Sequence, residues 1–143
     1  MSAESLLQGV PLFQDVDKKH LELLAKTTHE RSFAPGDVIV NEGEGGIGLY
    51  VISSGQVEVL QQRHGQEQRR RTMGEGEVFG ELAVLTDHPR TATVRATAPT
   101  SCLVLTAWNF RALLDETPEM GKQLAMTLAK RLAEAEDRAA HDD

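Results

Sequence analysis

Between Gly74 and Ala96 the chain reads GEGEVFGELAVLTDHPRTATVRA, and this segment gathers the residues best suited to chemistry. Gly80 precedes Glu81-Leu82-Ala83-Val84-Leu85, a run too helix-like for a hairpin loop. Glycine at the start of that run lets a ligand approach the backbone, and the free amides of a first helical turn attract an anion. Arg90 follows the restricted corner Asp87-His88-Pro89, which can aim its guanidinium back at the same place. Amide donors plus one arginine describe a phosphate cradle. Glu81 is out of place beside a phosphate unless it meets a donor, and a sugar hydroxyl is the natural one. Ribose joined to phosphate fits the set. Singly, each residue is weak: a Gly-Glu pair usually just starts a helix, and an arginine after proline is usually a surface charge.

The elements that must position this segment are short strands between two helical ends. Val38 to Val40, Leu49 to Ser53, Val57 to Leu60, Thr91 to Arg95 and Cys102 to Leu105 are rich in β-branched residues. Turn signals separate them: Pro35-Gly36-Asp37, Gly43 through Gly48, a hairpin turn at Ser53-Ser54-Gly55, Gly74 through Gly76, and Ala98-Pro99. Strands of this length and spacing favour a closed barrel or sandwich over a parallel sheet with crossover helices. Before them, Asp17 can cap a helix through Leu21, Leu24 and Thr28. After them, Thr106 can cap a helix holding Trp108, Phe110, Leu113 and Leu114, and Thr117-Pro118 opens another with proline at its first position. In that last helix Met120, Leu124, Leu128 and Leu132 recur every four residues, widened by Ala125 and Ala129, so one face is built to pack. The whole is expected to be one domain over 1–143: N-terminal helices to about 29, a barrel over about 30–106 and C-terminal helices over about 107–139.

Composition excludes several classes of function. The chain has 143 residues, 40% of them apolar, enough for a core without disulfide or metal staples. No apolar run exceeds four residues, so neither a membrane span nor a secretory signal is expected, and the protein is placed in the cytoplasm. A net charge of −7 gives no general attraction for phosphate backbones, which makes nucleic acid a poor partner. The basic cluster Arg69-Arg70-Arg71, with Arg63 before it, reads as a solvated hairpin turn and the start of a returning strand. Cys102, the only cysteine, sits in an apolar run and reads as a core thiol. His20, His29, His64, His88 and His141 have no paired spacing for a metal and read as surface residues. No motif suggests a Ser/His/Asp or Cys/His grouping, so no catalytic residues are assigned.

FGELAVLTDHPRTATV resembles the phosphate-binding cassette of cyclic-nucleotide-binding domains, F-G-E-L/M-A followed by P-R-S/T-A-T-V. Pro11-Leu12-Phe13, Pro35-Gly36-Asp37-Val38-Ile39, Tyr50-Val51-Ile52-Ser53-Ser54-Gly55 and Gly76-Glu77-Val78-Phe79-Gly80 look like the family's other signposts, in the family's order, over roughly Leu6 to Leu132. The resemblance implies a mainly β fold, a β jelly-roll barrel with N-terminal helices and a C-terminal helical lid. It implies that Glu81 accepts from the ribose 2'-hydroxyl, that Arg90 pairs with the cyclic phosphate, that the amides of Ala83 and Thr91 complete the cradle, and that Gly80 and Leu82 line the sugar. Val78 and Phe79 are expected in the barrel wall. Thr91 bears on the base, since a hydroxyl after the arginine is associated in the family with guanine; cAMP is nonetheless favoured over cGMP, because bacterial members with this cassette mostly resemble cAMP binders. Leu128, Arg131 or Leu132 would cap the base.

The resemblance thus implies a non-enzymatic sensor of a cyclic mononucleotide, without metal or cofactor, with the C-terminal helix as its output toward an effector protein or a second copy of the chain. A transcription factor of the same family is disfavoured, because only eleven residues follow Leu132 and no DNA-reading element is expected in them. A nucleotide-blind interaction module of the same fold is disfavoured by the presence of both Glu81 and Arg90. A regulatory piece of a larger channel, transporter or enzyme remains the alternative.

Overall fold

The computed structural model describes residues 2–86 and 88–141. In chain order its elements are α1 (Ala3–Gln8), a 3₁₀ turn (Pro11–Phe13), α2 (Lys18–Lys26), β1 (His29–Phe33), β2 (Val38–Val40), β3 (Gly48–Ser54), β4 (Gln56–Arg63), β5 (Gln66–Gly74), β6 (Val78–Phe79), a second 3₁₀ helix (Glu81–Val84), β7 (Thr93–Ala96), β8 (Thr100–Thr106), α3 (Ala107–Glu116) and α4 (Pro118–His141). The strands form two antiparallel four-stranded sheets, ordered β1-β8-β3-β6 and β2-β7-β4-β5. This is a jelly roll, mainly β with helices at both ends.

The period of two along β3 and β8 explains how both faces of one sheet are buried. Tyr50 and Ile52 face Val104 and Cys102 across the ladder and point between the sheets, where they meet Val57, Met73, Phe79 and Val94. Leu49 and Val51 face Leu105 and Leu103 on the opposite side, where α1, α2, α3 and the start of α4 cover them with Leu7, Phe13, Leu24, Phe110 and Met120. Tyr50 and Phe79 stack inside the barrel with ring centroids 4.9 Å apart. Cys102 is fully buried, and burial pushes its thiol up to about 11, as a core thiol requires.

Several expectations need correcting. Ser53-Ser54-Gly55 is not a hairpin turn: β3 and β4 belong to different sheets, and the chain crosses between them at Gly55, whose φ is 100°. A Cβ there would sit 2.5 Å from the Pro99 carbonyl oxygen and Thr100 Oγ1, so only glycine fits this corner. The arginines 69–71 lie on the returning strand, β5, which is nine residues long and pairs along β4 through a turn in which His64 and Gly65 both have positive φ. His20 is buried, not on the surface; its Nδ1 lies 2.7 Å from Asp17 Oδ1 and 3.2 Å from Gln123 Oε1, joining α2 to α4. The helices start where the caps predict, with Asp17 accepting from the His20 amide and Thr106 from the Asn109 amide. The stripe on α4 is only half used: Met120 and Leu124 are buried, whereas Leu128 and Leu132 are exposed.

Candidate functional site

Gly80 begins the site because its φ of 74° turns the chain sharply from β6 into the 3₁₀ helix Glu81–Val84. A side chain at this position would be strained, and its Cβ would collide with Nη1 of Arg90. Gly46, in the loop before β3, is tied to the same guanidinium: a Cβ there would collide with Arg90 Nε. Two glycines from separate segments therefore make room for one arginine, whose backbone is fixed in turn by Arg90 N donating to the Glu44 carbonyl and Gly43 N donating to the Arg90 carbonyl.

Arg90 is only 9% exposed. Its Nη2 donates to the Gly48 carbonyl at 2.5 Å, and its Nε is buried with no partner among the described residues. Burial holds its pKa below the ordinary guanidinium value, and nearby Tyr50 opposes that shift. No carboxylate compensates this cation among the described residues.

Glu81 is the opposite case. Its Oε2 accepts from the Leu12 amide at 2.9 Å and its Oε1 from Arg131 Nη1 at 2.8 Å. The 3₁₀ turn at Pro11–Phe13, the 3₁₀ helix and α4 thus meet on one carboxylate. Ala83 N, expected among the phosphate donors, donates to the Gly80 carbonyl at 3.0 Å within its own turn. The Thr91 carbonyl accepts from Gln61 Nε2 at 2.8 Å.

Arg90 and Glu81 border one cavity of about 360 Å³. Gly80, Glu81, Leu82, Ala83, Arg90 and Thr91 all line it, and Val40, Val59, Met73, Phe79 and Val94 form its apolar walls. A polar, cationic floor under an apolar wall of this size suits a small organic anion. A family model, the cyclic nucleotide-binding domain, matches residues 30–117. The chain belongs to the cyclic nucleotide-binding domain family. The crystal structure of the N-terminal domain of a transcriptional regulator from Streptomyces coelicolor is similar, with a TM-score of 0.84 at 30% identity over 94% of each chain. Among curated proteins, the cAMP-dependent protein kinase regulatory subunit of Blastocladiella emersonii is 35% identical over 78% of this chain. The cyclic AMP receptor protein of Thermus thermophilus is 32% identical over 91% of it. The chain spans 28% and 61% of the lengths of those two proteins.

Within this cyclic nucleotide-binding domain, the three residues expected over the base are not at the cavity. Leu128 and Leu132 are exposed on α4, and Arg131 is held by Glu81. The physical reason is that α4 is pinned beside the N-terminal segment: Asp15 N and Asp17 N donate to Thr127 Oγ1 and Gln123 Oε1, and Lys130 Nζ donates to Asp15 Oδ1 at 2.9 Å. Asp87, part of the expected corner before Arg90, lies outside the described residues. Sequence reasoning missed Gly46, the Leu12 amide and the cavity-lining Arg71. A glycine-rich loop before β3 was the only signal for the first, nothing local marks the Leu12 amide, and Arg71 stood in the basic cluster read as solvated. No helix among the described residues is long and apolar enough to cross a membrane.

Proposed function

We propose that this domain is a sensor that binds one cyclic purine mononucleotide, cAMP or cGMP, in the cavity bounded by Gly80 to Thr91. Arg90 carries the reading: a buried guanidinium with an unpartnered Nε and no carboxylate beside it among the described residues is stabilised by an anion placed against Gly80. The cyclic phosphate fills that role, with the amide of Thr91 as a further donor and Gly80 admitting close approach. Glu81 takes the ribose hydroxyl; a carboxylate has about four acceptor sites, so the hydroxyl can share it with Leu12 N and Arg131. The purine then lies against Val40, Val59, Met73 and Val94. The names of the two curated relatives support cAMP as one such ligand.

Binding is read out by α4. Because Glu81 holds Arg131, a ligand on Glu81 perturbs the same carboxylate that tethers the helix, and the change passes to an effector or to a second copy of the chain. Closure of Leu128, Arg131 or Leu132 over the base requires the Asp15 and Asp17 tethers to give way. Thermal unfolding with nucleotide tests the reading. A ligand at about 100 times its Kd adds roughly 2.7 kcal/mol, so cAMP or cGMP should raise the midpoint while linear 5'-AMP does so far less. Midpoints unmoved by both cyclic nucleotides would refute it.

A further inference from the structure

The two peptide planes that follow Arg90 are held by their carbonyls and free at their amides. The Arg90 carbonyl accepts from Gly43 N at 2.8 Å, and the Thr91 carbonyl accepts from Gln61 Nε2 at 2.8 Å. The amides across those same planes, Thr91 N and Ala92 N, have no acceptor among the described residues, and both residues border the cavity. A trans peptide is planar and sends its N–H away from its C=O, so tying the carbonyl aims the amide. The first tie comes from the backbone of the loop before β3. The second is a side chain from another strand, thirty residues away in sequence.

The place of Gln61 in β4 suits it to this task. It lies two residues after Val59, on the same face of the strand, yet it does not line the cavity as Val59 does. The β4–β7 ladder ends where Leu60 stands opposite Thr93, so backbone pairing stops short of residues 91 and 92, and the Gln61 side chain bridges the gap. Its Oε1 accepts from Arg63 Nη2 at 3.3 Å, which leaves Nε2 as the donor toward Thr91. At the next residue, Gln62 N donates to Glu42 Oε1, and Glu42 N donates to Thr93 Oγ1, which fixes the far end of the segment. We propose that Gln61 is a positioning residue: it holds the Thr91–Ala92 peptide so that the amides following Arg90 are set for phosphate oxygens before the ligand arrives. The inference rests on the cyclic-nucleotide reading above, and the two fail differently.

Calorimetric titration of the full chain and of Gln61→Met with cAMP and cGMP, together with amide NMR spectra of both proteins, tests it. Methionine keeps a long, uncharged side chain but cannot donate. Gln61→Met should lower the affinity for both nucleotides by about three- to tenfold and leave their ratio unchanged, because the phosphate is common to both. On binding, the Thr91 and Ala92 amide resonances should move in the parent and move less in the variant, whereas those of Glu81 to Ala83 respond alike in the two proteins. Unchanged affinity, a loss confined to one base, or a loss accompanied by altered resonances throughout the barrel would overturn the role of Gln61 and leave the sensor reading intact. Absence of binding of both nucleotides to the parent protein would overturn the sensor reading itself, and this inference with it.

Discussion

Arg90 and Glu81 stand nine residues apart at one cavity, yet their surroundings are opposite. Arg90 is a buried charge to which the described residues offer one carbonyl, leaving Nε without a partner among them. Glu81 has both carboxylate oxygens engaged, one by an N-terminal amide and one by the C-terminal helix. The difference separates two tasks. In the proposed reading, the phosphate end is a hole for an anion, shaped by Gly46 and Gly80. The sugar end is then a junction, where a ligand would share a group that already holds three segments of the protein together. Affinity should therefore rest mainly on Arg90, and communication with α4 mainly on Glu81.

The largest expected effect is at Arg90. Hydrogen bonds to charged groups are worth about 1.5–3 kcal/mol each, so Arg90→Leu should weaken nucleotide binding by about a hundredfold or more. Because it also removes a buried charge that has no carboxylate partner among the described residues, the unfolding midpoint of the unliganded variant should stay within a few degrees of the parent. A stable variant that binds as tightly as the parent would erase the distinction. Gly80→Ala comes next. Strain at φ 74° and the collision with Arg90 Nη1 should displace the guanidinium and reduce affinity by roughly tenfold. Glu81→Ala should cost about five- to tenfold, less than Arg90→Leu, since it removes a hydrogen bond to a neutral hydroxyl. It alone should also speed amide exchange across the α4 segment 121–132 in the nucleotide-free protein. Equal exchange in parent and variant would show that the Glu81–Arg131 pair does not tether the helix. Thr91→Ala should lower cGMP affinity a few-fold more than cAMP affinity, and equal losses would remove Thr91 from base choice.

The smallest effect concerns pH. Asp15 is held below the ordinary carboxylate value of 3.8 by hydrogen bonds from Lys130 and Thr127, and Asp17 by the His20 amide and Gln123. A carboxylate depressed in the folded state contributes stability above its unfolded pKa and loses that contribution as pH falls through the folded one. Exchange protection of 121–132 should thus be steady from neutral pH down to about pH 5 and weaken only below about pH 4. Loosening already near pH 6 would show that these two carboxylates do not control the tether.

The sequence was most readable where local chemistry and burial agree. Val, Ile and Leu in β3 and β8 alternate between the barrel interior and the helix-covered face, and the caps at Asp17 and Thr106 accept the expected amides. β1, with the sequence HERSF, and β5, with QEQRRRTMG, were harder to see. They are almost wholly exposed strands, specified by the ladders of β8 and β4 and not by their own apolar pattern. The residues expected to share a site from Gly80 to Thr91 do line one cavity, because a short motif carries them all. Arg131 shows the limit of that reading. The family resemblance grouped it with Leu128 and Leu132 over the base, but its partner is fifty residues away on another element, and only the packing of α4 beside Asp15 and Asp17 sets that distance.

The account depends most on Arg90 as the anchor of a cyclic phosphate. Isothermal titration of the parent and of Arg90→Leu with cAMP and cGMP tests this directly. Saturable binding of one nucleotide per chain in the parent, weakened by about a hundredfold in the variant, is the predicted result. No binding to the parent, or binding equally tight in Arg90→Leu, would contradict it.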